Sequence, residues 1–275
     1  MNWACGRAGH RILYGPEMGL RSSEAIVIGG HNLGEADRIV VFYTRSYGKV
    51  RAVAAGARRI RSRFGGSLEL FTHGHLVYFE RPNSDLHRLN EFALGEPYHT
   101  LRTSLELLTA ASEVVELGGM AGVEGEGSET LFALIGGTLR ALNTGVQPSV
   151  ILRAFEIRLL RTLGYLPELY KCVRCRGGLP EGIQSFGLNE GGLLCPACRA
   201  EAIETMPVSP PALGFLRMTL GRDMDLSRVS LDPEVREELR SVLQTFLELK
   251  LGRRIRSTRF LAGITGFSLD TSLSH

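Results

Sequence analysis

The stretch RIVVFYTRSYGKVRAVAA, residues 38–55, decides how the first third of the chain is read. Its first half, residues 38–44, is rich in β-branched and aromatic residues, which suit a pleated surface. Tyr47-Gly48 interrupts the run as a turn. Residues 49–55 then resume it, with Lys49 and Arg51 sharing a parity with Val53 and Ala55. Two strands joined by a short turn are predicted. Upstream, residues 25–28 form a short apolar run ending at Gly29-Gly30. Downstream, residues 68–80 (LELFTHGHLVYFE) read as one strand kinked at Gly74 or as two, and residues 86–93 read as another after the turn signal Pro82-Asn83. Short strands this close together need their sheet edges covered, which predicts a small closed or partly closed barrel.

Beyond Pro97 the period becomes helical. Residues 100–117 place Leu101, Leu105, Leu108, Ala111 and Val115 on one face. Residues 118–128 (GGMAGVEGEGS) read as a Gly/Glu loop. Residues 129–142, 148–163, 209–220 and 233–251 read as further helices, with Gly164 as a stop and Asp232 as an N-cap before Pro233. The helices on both sides of residues 170–200 are expected to form one bundle. The predicted class is α+β. An extension at 1–21 precedes a barrel at 22–96. A helical domain in two parts, 97–169 and 201–275, then carries a cysteine module at 170–200.

Cys172-x-x-Cys175 and Cys195-x-x-Cys198 are separated by 19 residues, a four-cysteine zinc-ribbon spacing. Each turn brings two thiolates within reach of one ion, and a tetrahedral ion takes all four. Two disulfides or a redox dithiol are the alternatives, although cytosolic thiols stay reduced. Four thiolates close the coordination shell, so one structural zinc ion is expected, without a catalytic role. Lys171, Arg174, Arg176 and Arg199 are placed to offset the charge of such a centre. None of the seven histidines has Glu two positions on, the arrangement that a zinc deaminase requires. Cys5, in the extension, has no neighbouring partner.

The net charge of +3 conceals an asymmetry, because residues 1–90 carry 13 Lys+Arg against 7 Asp+Glu. Arg45, Lys49, Arg51, Arg58, Arg59, Arg61 and Arg63 fall in one span without an acidic residue. Interleaved with and flanking it are Phe42, Tyr43, Tyr47, Phe64, Phe71, Tyr78 and Phe79. A basic barrel face with aromatics is how small barrels hold single strands without sequence preference. The alternative places the aromatics in the core and leaves the arginines as a solvated loop. Arg253, Arg254, Arg256 and Arg259 are a second basic patch or a solvated tail.

Several classes are excluded. No stretch approaches a membrane span, and the first 25 residues lack an apolar core, so a cytosolic protein is expected. Gly48-Lys49 lacks the rest of a P-loop, and residues 118–127 do not link a strand to a helix. His73-Gly74-His75 is a weak metal signal. No Ser/His/Asp or paired-carboxylate set has supportable spacing.

The run Gly34-Glu35-Ala36-Asp37-Arg38-Ile39, then Thr44, Tyr47-Gly48-Lys49 and Ala54-Ala55-Gly56-Ala57-Arg58-Arg59 with Ser62, resembles the RecO family of DNA-repair proteins. Leu68-Glu69-Leu70-Phe71 adds to the likeness, as does Gly164-Tyr165-Leu166-Pro167-Glu168-Leu169 before Cys172. The resemblance implies an OB-fold barrel, a helical domain with a zinc module, and no enzymatic activity. It implies a cytoplasmic, nucleoid-associated recombination mediator that binds single- and double-stranded DNA and anneals complementary strands. Such a mediator helps load recombinase on strands coated by single-strand-binding protein (SSB), with RecR as a partner. Lys49, Arg51, Arg58, Arg59, Arg61 and Arg63 align with the family's basic strand and loop. Ala55 stands where many relatives have Lys. A zinc-ribbon protein-interaction adaptor without direct nucleic-acid function is the competing reading.

Overall fold

The computed structural model describes residues 19–221 and 225–257. The extension up to residue 18, with Cys5, lies outside the described residues, as does Arg259. Five strands form a closed barrel: β1 (Leu20–Leu33), β2 (Asp37–Thr44), β3 (Gly48–Ala54), β4 (His73–Phe79) and β5 (Leu86–Glu96). The order around it is β1-β2-β3-β5-β4, with β1 pairing β4 to close the ring and β3 running parallel to β5. This is the OB-like barrel expected.

Two strand readings change. The first strand is not confined to residues 25–28 but spans 14 residues. Its first half pairs with β4 and its second half with β2, with a register shift between Val27 and Gly29. The glycines read as a strand end are therefore part of a bend that lets one strand serve two neighbours. Residues 68–72 are not strand. Successive turns occupy the segment, with Ser67 N–H donating to the Phe64 carbonyl and Thr72 N–H to the Glu69 carbonyl. Leu68 and Phe71 are still buried. The apolar pattern marked the core correctly, but turns rather than a ladder place the side chains there.

The helices are α1 (Leu105–Ala121), α2 (Glu129–Leu142), α3 (Pro148–Thr162), α4 (Pro196–Arg199), α5 (Pro210–Thr219) and α6 (Pro233–Leu251). Ser104 and Ser128 cap α1 and α2 by accepting from Leu107 and Leu131 N–H. Gly164 takes a positive φ of 79° just past α3, as a stop requires. Asp232 stands at the N-cap of α6 without a side-chain cap bond. One core cluster joins α1, α2, α3, α5 and α6 with Phe186, Leu193 and Val208 of the cysteine module and with Ile26 and Tyr43 of the barrel. The bundle is thus continuous across the cysteine segment. Gly122 allows the barrel to dock, since a Cβ there would overlap the Tyr43 ring.

α3 is buried nearly all round, which its sequence period did not predict. Arg153 is 3% exposed and Glu156 0%. Arg153 lies 3.0 Å from Glu156 and 3.6 Å from Glu113 of α1. Gln244 of α6 donates to Glu113 at 3.2 Å. One guanidinium thus lies against two buried carboxyl groups. Burial raises the Glu156 pKa well above the usual carboxylate range, Arg153 opposes the rise and Glu113 adds to it. The folded state therefore binds a proton that the unfolded chain releases above about pH 4.5. Stability from this group is complete below that pH and is lost as pH rises towards the elevated folded value. Glu156→Gln, which mimics the protonated acid, should fold and should flatten the decline of Tm as pH rises above about 4.5. An unchanged slope would show that the proton resides elsewhere.

Candidate nucleic-acid interface and metal centre

The seven basic candidates divide into two groups. Arg45, at the end of β2, pairs with Glu24 of β1 at 2.8 Å and with Glu129 at the start of α2. The hydrogen bonds it donates to Glu129 and then to Glu24 hold its pKa above the ordinary arginine value. It therefore joins barrel to bundle. Lys49 and Arg51, on the outer face of β3, both approach Glu124, at 3.4 and 3.7 Å. Glu124 belongs to the loop at 122–128 between α1 and α2. This loop crosses β3 as an acidic strap. Its backbone bridges Gly48 and Lys49, and Lys49 N–H donates to the Val123 carbonyl at 3.2 Å. A Cβ at Gly48 would overlap the carbonyls of Val123 and Glu126, so glycine permits the crossing.

Arg58, Arg59, Arg61 and Arg63 are different. They lie on the segment after β3, all exposed, and none has an ion pair among the described residues. Arg58 donates to the Gly34 carbonyl at 2.9 Å. The Arg63 guanidinium lies 4.8 Å from the Phe64 ring and at the limit of reach of the Leu89 carbonyl. Backbone bonds fasten the segment: Arg58 N–H to Ala36, Arg59 N–H to Gly56 and Ser62 N–H to Arg59. Gly56 N–H donates to Asp37 at 2.8 Å. Four cations are thus presented on an ordered platform.

Arg88 was missed by sequence reasoning. It faces Val53 across the parallel β3–β5 pair and is exposed, so it extends the row of Arg51. The pairing joins residues 35 positions apart in a parallel register, which no local pattern discloses. Most of the aromatics are core: Phe42, Tyr43, Phe64, Phe71 and Tyr78 are buried. Tyr47 is half-buried in a recess of about 550 Å³ also lined by Arg21, Lys49, Tyr78, His87 and Glu124. Burial holds the His87 pKa below the ordinary imidazole value.

The four cysteines converge. Cys172 and Cys175 lie on one turn, with Arg176 N–H donating to the Cys172 carbonyl and Cys172 N–H to that of Gly177. Cys195 precedes α4, which carries Cys198. The sheet β6 (Gln184–Gly187), β7 (Gly192–Leu194) and β8 (Thr205–Val208) sets the turns side by side. All four sulfurs lie within 4.8 Å of one another. Cys175 Sγ and Cys195 Sγ are 3.8 Å apart. A tetrahedral ion with bonds of about 2.3 Å sets its sulfurs about 3.8 Å apart. A disulfide needs about 2.0 Å, and all four thiols are free.

Their acidities diverge. Burial disfavours the Cys172 thiolate, yet backbone hydrogen bonds at Cys175, Cys195 and Arg174 bring its pKa down to about 6. Hydrogen bonding to Cys195 and burial push Cys198 up to about 12. Without a cation the cluster can hold little negative charge, so the donor set suits a divalent ion. Two of the four neighbouring cations, Arg174 and Arg176, are not free to offset that charge as expected. Arg174 pairs with Glu190 at 2.7 Å and Glu201 at 3.3 Å, and Arg176 with Glu168 at 3.3 Å. They brace the module.

A family model for the N-terminal part of recombination protein O matches residues 18–98, and one for its C-terminal part matches residues 102–259. The DNA repair protein RecO of Roseiflexus sp. (strain RS-1) is 38% identical over 240 residues, covering 87% of this chain and 84% of that protein. That of Anaeromyxobacter sp. (strain K) is 36% identical over 237 residues, covering 86% and 93%. That of Halalkalibacterium halodurans is 30% identical over 241 residues, covering 87% and 93%.

Proposed function

This chain belongs to the RecO family of DNA repair proteins, and on that premise we propose that it holds single- and double-stranded DNA on Arg58, Arg59, Arg61 and Arg63. Membership carries a role in recombinational repair and a non-enzymatic one. The observation that supports the proposed site is the absence of carboxylate partners for these four guanidiniums among the described residues, on a loop whose backbone is fastened. Such groups bind phosphate without first giving up an internal ion pair.

The action we propose is annealing. Two strands repel through their phosphates, and an arginine surface that neutralises both lets complementary bases meet. Loading of recombinase on SSB-coated strands, with RecR and SSB as partners, belongs to the same proposal, as does a cytoplasmic, nucleoid-associated location. Among the described residues no helix is long and apolar enough to cross a membrane. Lys49 and Arg51 are secondary contacts, since DNA must compete with Glu124 for them. Cys172, Cys175, Cys195 and Cys198 would hold one zinc ion, which cross-links two turns and fastens the module to the helical core.

A salt titration of DNA binding tests the site. Four to six neutralised phosphates give a log–log slope of about −3 to −5. Glu124→Gln removes the internal competitor, so it should bind DNA more tightly and steepen the slope by about 1. A slope near zero would favour the protein-interaction adaptor instead.

A further inference from the structure

The loop with the unpaired arginines also carries the most exposed large apolar side chain among the described residues. Ile60 is fully exposed, at 105%. It stands between Arg59 and Arg61 in the run Arg58-Arg59-Ile60-Arg61-Ser62-Arg63. An isolated surface isoleucine ordinarily needs no explanation. This one is set apart by its support and its neighbours. The turn bond from Ser62 N–H to the Arg59 carbonyl, 3.0 Å long, encloses it. On either side, Ala57 and Phe64 pack on the barrel core. The backbone therefore holds Ile60 outward, in sequence between two of the exposed arginines.

We propose that Ile60 caps the bare face of the terminal base pair where duplex meets single strand, while Arg58, Arg59, Arg61 and Arg63 hold the phosphates of the two strands. The inference rests on the loop's reading as a DNA site and adds the DNA structure that it prefers. Apolar side chains are known to enter base steps beside basic residues, but an internal step must first be unstacked. One isoleucine, without a second wedge beside it, returns too little to open a duplex interior. At a junction the base-pair face is already open to water, and covering it needs no unstacking. A single strand offers no fixed base-pair plane. The surface thus selects a tailed duplex over both a continuous duplex and a single strand.

The test is competition binding at fixed salt among a tailed duplex, a covalently closed circular duplex and a single strand, at equal nucleotide concentration. The wild-type chain should prefer the tailed duplex by about tenfold. Ile60→Ser, at a fully exposed position, should fold and keep its single-strand affinity, with its preference reduced to about twofold or less. A 2-aminopurine placed at the terminal pair should change emission on binding the wild type and not the variant. A wild type without the preference, or a variant that keeps it, overturns the inference while the DNA site stands. If the paired variant Arg58→Glu/Arg59→Glu binds all three DNAs as tightly as wild type, the DNA reading fails, and the junction preference with it.

Discussion

Reversing the charge of Arg58 and Arg59 together should lower affinity for single-stranded and duplex DNA by about 100-fold or more at low salt. Each guanidinium–phosphate bond contributes roughly 1.5 kcal/mol at the low end for charged groups. Two such losses make about 3 kcal/mol, and every 1.4 kcal/mol is about tenfold. The salt slope should become shallower by about 2, because two fewer counterions are released per complex. Both side chains are exposed, and the reversal removes one bond, from Arg58 to the Gly34 carbonyl, while the backbone bonds that fasten the segment remain. The fold should therefore survive, with Tm within a few degrees of wild type. Arg45→Ala is the contrasting variant. Its guanidinium is already engaged by Glu24 and Glu129, so DNA affinity should fall by less than about threefold. Electrophoretic mobility or fluorescence anisotropy reads both results. Equal losses from Arg45 and from the Arg58/Arg59 pair would show that the distinction between engaged and free cations does not govern binding.

The second large effect concerns the metal. One zinc ion per chain should be released when the protein is denatured in the presence of a colorimetric chelator. Removing it from the folded chain, or substituting Cys172→Ser, should destabilise the protein by about 5 kcal/mol or more. β6, β7 and β8 have four, three and four residues, too few to stand alone. Their apolar residues belong to the helical core, and the Phe186 and Phe246 rings meet at 5.2 Å. Loss of the ion should therefore lower the helical unfolding temperature and not only unravel a surface module. The barrel has its own core of Val27, Phe42, Val50, Leu76 and Tyr78. DNA binding by the loop should outlast zinc loss at temperatures below the barrel's own transition. A metal-free chain with unchanged Tm would remove the structural role.

The four-cysteine cluster was legible because it is local. Two CxxC turns each fix their own geometry, and only their convergence needed the tertiary structure. The barrel was legible in β2, whose residues are β-branched and aromatic, and in β3, which alternates. It was misread at residues 68–72, where turns bury Leu68 and Phe71 without alternation, and at Gly29-Gly30, where a bend resembles an end. Arg174 and Arg176 read as counter-charges to the ion, yet Glu168, Glu190 and Glu201 converge on them from other turns.

Residue types and their spacing determined by themselves that this protein has a small β unit, a helical bundle and a four-thiol centre, because strand period, helix period and ligand pairing act over a few neighbouring residues. Only the tertiary structure decided which cations are free. Charge is a property of each side chain, but whether a carboxylate from 70 or more positions away neutralises it depends on where the chain returns. Glu124 closes over Lys49 and Arg51, Glu129 takes Arg45, and the loop from Arg58 to Arg63 is left open to solvent.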